Sequence, residues 1–278
     1  HNDNGYHYIN NSYNDKTNNR AGHAVMVVGW DDNYSKDNFR DGVKPEKAGA
    51  WLIRNSWGDG TGSYYNQSYF WMSYETFSLS DTAWVFDFSA NDGYDNNYQV
   101  DGGLNVAHQS GYRKLANVFT TQTKQGVSSE DLKAVSLSIT SKTNVNYTIE
   151  IYTDLKDKTK PTSGTKQETA TTTGQTTYAG VYTIPLKAAV NLKPGTSYSV
   201  VVTTDTPAID IEAAMTGDVN YNNEMVWENH ASSDNTASYY FYGTGLAYSR
   251  SWNYQNTHGN FCIKAFTANN VEKDSEKL

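Results

Sequence analysis

Gly22-His23-Ala24-Val25-Met26-Val27-Val28-Gly29-Trp30 places an imidazole directly ahead of an apolar, valine-rich run. Such a run, closed by Gly29, reads as a β-strand. A second string, Ala50-Trp51-Leu52-Ile53-Arg54-Asn55-Ser56-Trp57-Gly58, ends another apolar run on a carboxamide. An imidazole can serve as base and then as acid, and a carboxamide can hold it in one orientation. Two adjacent strands bring His23 and Asn55 within reach. Gly22 lets a partner surface approach closely, and the Trp57 indole can cover the contact. Taken singly, a histidine before a strand reads as a core-edge residue and Asn55 as a turn cap.

Working outward, Tyr69–Tyr74 and Ala83–Phe88 are further strand candidates, and the charged stretch Asp31–Gly49 is a loop. Ser89–Gly103, rich in Asn, Asp, Gly and Tyr, has no apolar period and reads as a junction. Beyond it, strand runs recur at Ala134–Ile139, Tyr147–Tyr152, Val181–Ile184, Ser197–Thr203, Tyr239–Tyr242 and Phe261–Phe266. Turn residues separate them, which predicts an antiparallel, jelly-roll-like β-sandwich. Lys156–Gln175, dominated by Lys and Thr, reads as a solvated hairpin loop. The expected organisation is a β-rich lobe at 1–88, a junction at 89–103, a sandwich at 104–268 and a frayed tail at 269–278. The expected fold class is mainly β, α+β overall.

The 278 residues suffice for two cores, and 14% aromatics with 22 Tyr suit sheets with wet faces. A net charge of -8 supplies no basic stripe for phosphates, which argues against a nucleic-acid partner. No apolar run approaches bilayer length. One cysteine excludes an internal disulfide. The chain opens on His1 rather than Met, and an upstream segment is expected.

The two strings, together with Tyr69-Phe70-Trp71-Met72-Ser73, resemble the papain family of cysteine peptidases over about the first 86 residues. The resemblance implies that His23 is the general base and acid and that Asn55 orients it. It also implies that Trp57 is the indole lid and that Ala24 lies at the rim of the main specificity pocket. The His23–Asn55 separation, 32 residues, exceeds that of plant and lysosomal members, with the excess in Asp31–Gly49. The family's Cys-bearing helix and oxyanion Gln precede its histidine by more than a hundred residues, whereas 22 precede His23 here. This chain alone therefore lacks the nucleophile. Cys262, within Asn260-Phe261-Cys262-Ile263-Lys264-Ala265-Phe266, sits in a strand run with no helix start to stabilise a thiolate, so it reads as a buried, inert thiol.

The second half resembles the lectin-like sandwich that follows the peptidase domain in some bacterial surface proteases. The resemblance rests on Tyr94–Gly102, on Ser249–Asn253 and on the closing Asn260–Phe266 run. It implies a secreted or bacterial cell-surface location and no required cofactor, with a structural calcium ion compatible. Asp218, Asn220, Asn222 and Glu224 alternate, and Asp92, Asp95 and Asp101 cluster. The first set fails the EF-hand pattern, because Asn223 and Asn229 occupy its Gly and Glu positions. No metal site is assigned. Trp227, Tyr248, Trp252 and Tyr254 are candidates for stacking on a surface glycan. The expected function is the C-terminal portion of a surface cysteine endopeptidase. Its partners are an N-terminal lobe carrying the catalytic Cys and a protein or peptide substrate. The alternative is a non-catalytic binding module for glycan or cell wall.

Overall fold

The computed structural model describes residues 5–17, 23–56, 68–79, 83–88, 92–102, 107–108, 112–212, 220–221, 224–225, 237–242, 251–254 and 259–271. The chain divides into two units, His1–Ser89 and Ala90–Leu278. Helix among the described residues is limited to the 3₁₀ turns Lys36–Asn38 and Glu168–Ala170. The rest is strand and turn, as a mainly β reading requires.

The first unit is a five-stranded sheet built from β1 (Tyr6–His7), β2 (Ser12–Tyr13), β3 (Met26–Asp31), β4 (Ala50–Arg54) and β5 (Tyr69–Ser73). Its order is β1-β2-β5-β4-β3, antiparallel except where β2 runs parallel to β5. Ile53, Met72 and Tyr13 form its small core, with Val25, Trp51 and Phe70 packed around them. The Asp31–Gly49 loop is fastened to that sheet. Phe39 is buried, Ser12 Oγ donates to Asn38 O at 2.6 Å, and Glu75 accepts from the backbone N–H groups of Glu46 and Lys47. Gly49 closes the loop at φ +117, where a Cβ would lie 2.6 Å from the Tyr74 ring. Only glycine fits that backbone at that distance.

Edge strand β3 is unusual. Met26, Val27, Val28 and Trp30 are each about half exposed or more, at 46–67%. Its register against β4 shifts between Val27 and Gly29, the mark of a bulge. An edge strand that presents so much apolar surface is a docking edge or a liability. Ala83–Phe88, expected as a strand, forms none. It is an almost continuous apolar run yet pairs with no described strand, and Trp84, Val85, Phe86 and Phe88 stand 66–92% exposed.

The second unit contains β6 (Asn96–Tyr98), β7 (Ala107–His108), β8 (Lys114–Thr120), β9 (Val127–Ile139), β10 (Val145–Thr153), β11 (Thr165–Lys166) and β12 (Thr172–Thr176). These are followed by β13 (Gly180–Leu192), β14 (Ser197–Thr204), β15 (Asp210–Ile211), β16 (Asn220–Tyr221), β17 (Glu224–Met225), β18 (Ser238–Tyr242), β19 (Ser251–Tyr254) and β20 (Ile263–Val271). One large antiparallel sheet runs β11-β10-β14-β8-β18-β19 with β12 on β10, and a smaller one runs β13-β9-β20-β6. The shared core joins Leu115, Phe119, Ile149, Ile151, Val200 and Val202 of the first to Val135, Leu137, Ile184, Leu192 and Ile263 of the second. Strand β13 shows the causal pattern plainly, because Ile184, Leu186, Val190 and Leu192 are buried between exposed neighbours.

Several segments differ from their sequence reading. Asn269–Val271, expected in a frayed tail at 269–278, extend β20 and pair with β9. Lys114–Thr120 forms β8 where no strand was expected. Lys156–Gln175 is not a free loop, since it supplies β11, a 3₁₀ turn and the start of β12, and its Pro161 is buried. Ser199 Oγ donates to Pro161 O at 2.5 Å. Val201, which points away from the core between Val200 and Val202, is fully buried as well. The segment thus reaches back onto β14 at Ser199, on the same side of the strand as Val201. Within the stretch read as a junction, Asn96–Tyr98 is an edge strand paired to β20.

Candidate functional site

β3 and β4 are antiparallel, with Met26 opposite Arg54. His23, just ahead of β3, and Asn55, just beyond β4, therefore lie at the same end of the ladder. His23 Nε2 and Asn55 Oδ1 are 2.9 Å apart. Asn55 is buried and His23 exposed. Two bonds fix Asn55: Ser56 N donates to the carboxamide Oδ1 at 2.8 Å, and the residue's own backbone N–H donates to Ser68 O at 2.7 Å. The first bond identifies the atom, because an amide NH₂ could not accept it. An oxygen facing His23 makes Nε2 the protonated nitrogen, which leaves the lone pair on Nδ1. The arrangement can hold an imidazole in one tautomer and tilt while Nδ1 exchanges a proton.

Ala24 is exposed, between His23 and the core-packed Val25. Gly22 and Trp57 lie outside the described residues. Sequence reasoning missed the hairpin Tyr6–Tyr13, whose Asn11 reaches β5 beside the pair. Its one legible signal is the turn-forming Asn10-Asn11-Ser12 string.

Cys262 belongs to a different environment. It is buried, its backbone N–H donates to Asp210 O at 2.9 Å, and burial pushes its thiol up, with the carboxylates of Asp101, Asp210 and Glu212 adding to the shift. This is the reverse of what activates a cysteine. A thiol-specific chromogenic disulfide added to the native protein is expected to leave Cys262 untouched, with one equivalent reacting only after denaturation. Reaction at a free-thiol rate in the native state would contradict the burial.

Asp92, Asp95 and Asp101 each face a different partner and do not converge. Asp92 Oδ1 accepts from Tyr94 N, Asp95 Oδ2 from Asn269 N, and Asp101 faces Lys264 at 3.4 Å. Among the described residues no three His, Cys, Asp or Glu side chains converge to hold a metal ion. Of the other string, Asp218 and Asn222 lie outside the described residues, and only the backbones of Asn220 and Glu224 are described. Trp252 is engaged rather than presented. Its Nε1 donates to Thr162 Oγ1 at 3.1 Å, Phe241 meets it edge-on, and Lys114 Nζ lies 5.9 Å from its ring centroid. Trp227 and Tyr248 fall outside the described residues, and Tyr254 is described by its backbone alone.

Fold and site together define a β-sandwich protein preceded by a small β lobe that carries an oriented His–Asn pair. A profile of the lectin-like domain matches residues 98–267, and the chain belongs to that family. Among solved structures it is similar to the clostridial cysteine protease Cwp84 after propeptide cleavage, with 27% identity and a TM-score of 0.68. It is also similar to the cysteine protease and lectin-like domains of Cwp84, a surface-layer-associated protein of Clostridium difficile, with 26% identity and a TM-score of 0.66. Both matches cover 97% of this chain, which spans 64% and 57% of those chains. No curated protein matches the chain by sequence. No helix among the described residues is long and apolar enough to cross a membrane.

Proposed function

We propose that this chain is the C-terminal part of a papain-type cysteine endopeptidase of the bacterial cell surface, supplying base, acid and orienter to a cysteine on an N-terminal lobe. The observation that carries this is the His23–Asn55 pair, with its carboxamide oxygen fixed by Ser56 N–H. The similarity to a surface-layer-associated cysteine protease supports it, as does the exposed apolar edge of β3.

In this reading Nδ1 of His23 takes the proton of the cysteine thiol, giving a thiolate–imidazolium pair. The thiolate sulfur attacks the peptide carbonyl carbon, a C–S bond forms, and the tetrahedral oxyanion collapses with rupture of the C–N bond. The Nδ1 proton leaves with the amine. Water then attacks the thioester, giving its proton back to Nδ1, and the thiolate departs. Asn55 stays neutral throughout and keeps the Nε2–H directed at its own oxygen. The oxyanion donors lie on the other lobe, and His23 acts only through Nδ1.

Intact-mass analysis of the complete native protein, N-terminal lobe included, after exposure to an epoxysuccinyl thiol-protease inhibitor tests the assignment. One adduct on a cysteine other than Cys262, lost in His23→Ala, is expected. No adduct, or one on Cys262, overturns the proposal in favour of a binding module.

A further inference from the structure

Asn55 owes its place to the start of β5, because its backbone N–H is held by Ser68 O. That start is also the end of the β4–β5 ladder, where Arg54 faces Tyr69. On the other side of β5, the paired residues of β2 begin only at Ser12 opposite Trp71. Tyr69 therefore lies beyond the reach of the β2 backbone.

Asn11 fills that place with its side chain. Its Nδ2 donates to Tyr69 O, while its own carbonyl accepts from Trp71 N at 2.9 Å. Asn11 makes both bonds from a left-handed backbone, φ +50, a region asparagine tolerates better than most residues bearing a side chain. The Tyr6 hydroxyl donates to Asn11 Oδ1 and so decides which end of the amide faces β5. Tyr6 is itself seated against Phe70 and Tyr8, with ring centroids 6.1 and 5.1 Å away. Burial pushes its phenol up to about 12, so it remains a donor throughout the neutral range.

We infer that Asn11 is a positioning residue for the His23–Asn55 pair, clamping the start of β5 so that Ser68 O holds Asn55 under the imidazole. The inference rests on the peptidase reading for its catalytic consequence, though its geometric part stands on this chain alone. Asn11 touches no reacting atom. It acts through Tyr69 and Ser68 on Asn55.

The test uses Asn11→Gly, which keeps the left-handed backbone and removes only the amide, with Tyr6→Phe as a second variant that removes only the hydroxyl. The readout is the ¹⁵N signature of the His23 tautomer, which a purely structural strut elsewhere in the fold would not move. In the wild type the Nε2–H form should exceed the share it already holds in a free histidine in water, and Asn55→Ala should abolish that excess bias. Asn11→Gly and Tyr6→Phe should each weaken it while the thermal transition stays cooperative. In the complete protein, kcat for a peptide substrate should fall roughly tenfold in Asn11→Gly with little change in KM, as expected for a misplaced catalytic group. If Asn11→Gly leaves both tautomer and kcat at wild-type values, the positioning role is wrong, although the peptidase reading survives. If the wild type shows no excess tautomer bias, both the clamp and the His–Asn assignment fail. A bias weakened by Asn11→Gly in a protein without peptidase activity sustains the clamp and overturns only the peptidase reading.

Discussion

In the complete protein, His23→Ala is expected to lower kcat/KM for a peptide substrate by at least about 10³-fold, roughly 4 kcal/mol of transition-state stabilisation. The reason is that one imidazole performs two transfers, forming the thiolate and then protonating the leaving amine. Removing it disables acylation at both ends, and effects of groups acting as a unit do not partition. Asn55→Ala should cost less, up to about 10²-fold, because the imidazole remains and only its orientation is released. The exposed His23 and buried Asn55 make the comparison clean. Truncating a solvent-facing ring removes little packing, so an inactive His23→Ala protein should melt as the wild type does. Full activity in His23→Ala overturns the assignment. Equal losses in the two variants would instead mean that Asn55 is needed to build the site at all.

How much of this could be read from the chain differs between the two units. The His23–Asn55 proximity was legible because both residues cap apolar strand runs, and adjacent antiparallel strands bring such caps together. The carboxamide's orientation was not, since it depends on the Ser56 backbone N–H, which no side-chain pattern reports. Nor was the Asn11 clamp. A positive φ is invisible in sequence unless glycine marks it, and asparagine carries it here.

In the sandwich, alternation made β10 and the second half of β9 legible, whereas only Val181–Ile184 of the thirteen-residue β13 was read. Strand β8 went unread because Lys114-Leu115-Ala116-Asn117-Val118-Phe119-Thr120 sets a polar residue at a position that faces the core. Ala83–Phe88 failed in the opposite sense: its apolar run promised a strand, but a strand exists only where another backbone pairs with it. The Lys- and Thr-rich segment after β10 looked like solvent-facing loop because its buried apolar residues are only Pro161, which reads from sequence as a turn former, and the small Ala170.

Asn117, the residue that hid β8, should be the most sensitive polar position of the second unit. It is fully buried between Leu115 and Phe119, residues of the core. Its Nδ2 donates to Phe261 O and Ile263 O, both at 2.9 Å, and its Oδ1 accepts from Ser238 Oγ at 2.7 Å. The amide thus ties β8 of the large sheet to the start of β20 in the small one and to β18 alongside. Asn117→Leu keeps the volume but withdraws all three bonds. Phe261 O retains the Ile263 N–H and Ser238 Oγ retains Asn260, so the loss is partial. A cost of about 2–4 kcal/mol follows, lowering the melting temperature by roughly 5–15 °C. Asn117→Asp should be worse and pH-dependent. A carboxylate there would face two carbonyl oxygens with nothing to donate, so the folded state would bind a proton that the unfolded chain releases near its ordinary pKa, about 4. Folded-state affinity for protons above unfolded affinity means stability falls as pH rises. The Asp variant should therefore approach the Leu variant at acidic pH and fall below it towards neutrality, in melts of the whole chain followed by near-ultraviolet circular dichroism. A flat difference between the two variants across that range would show that the side chain at 117 does not face those carbonyls.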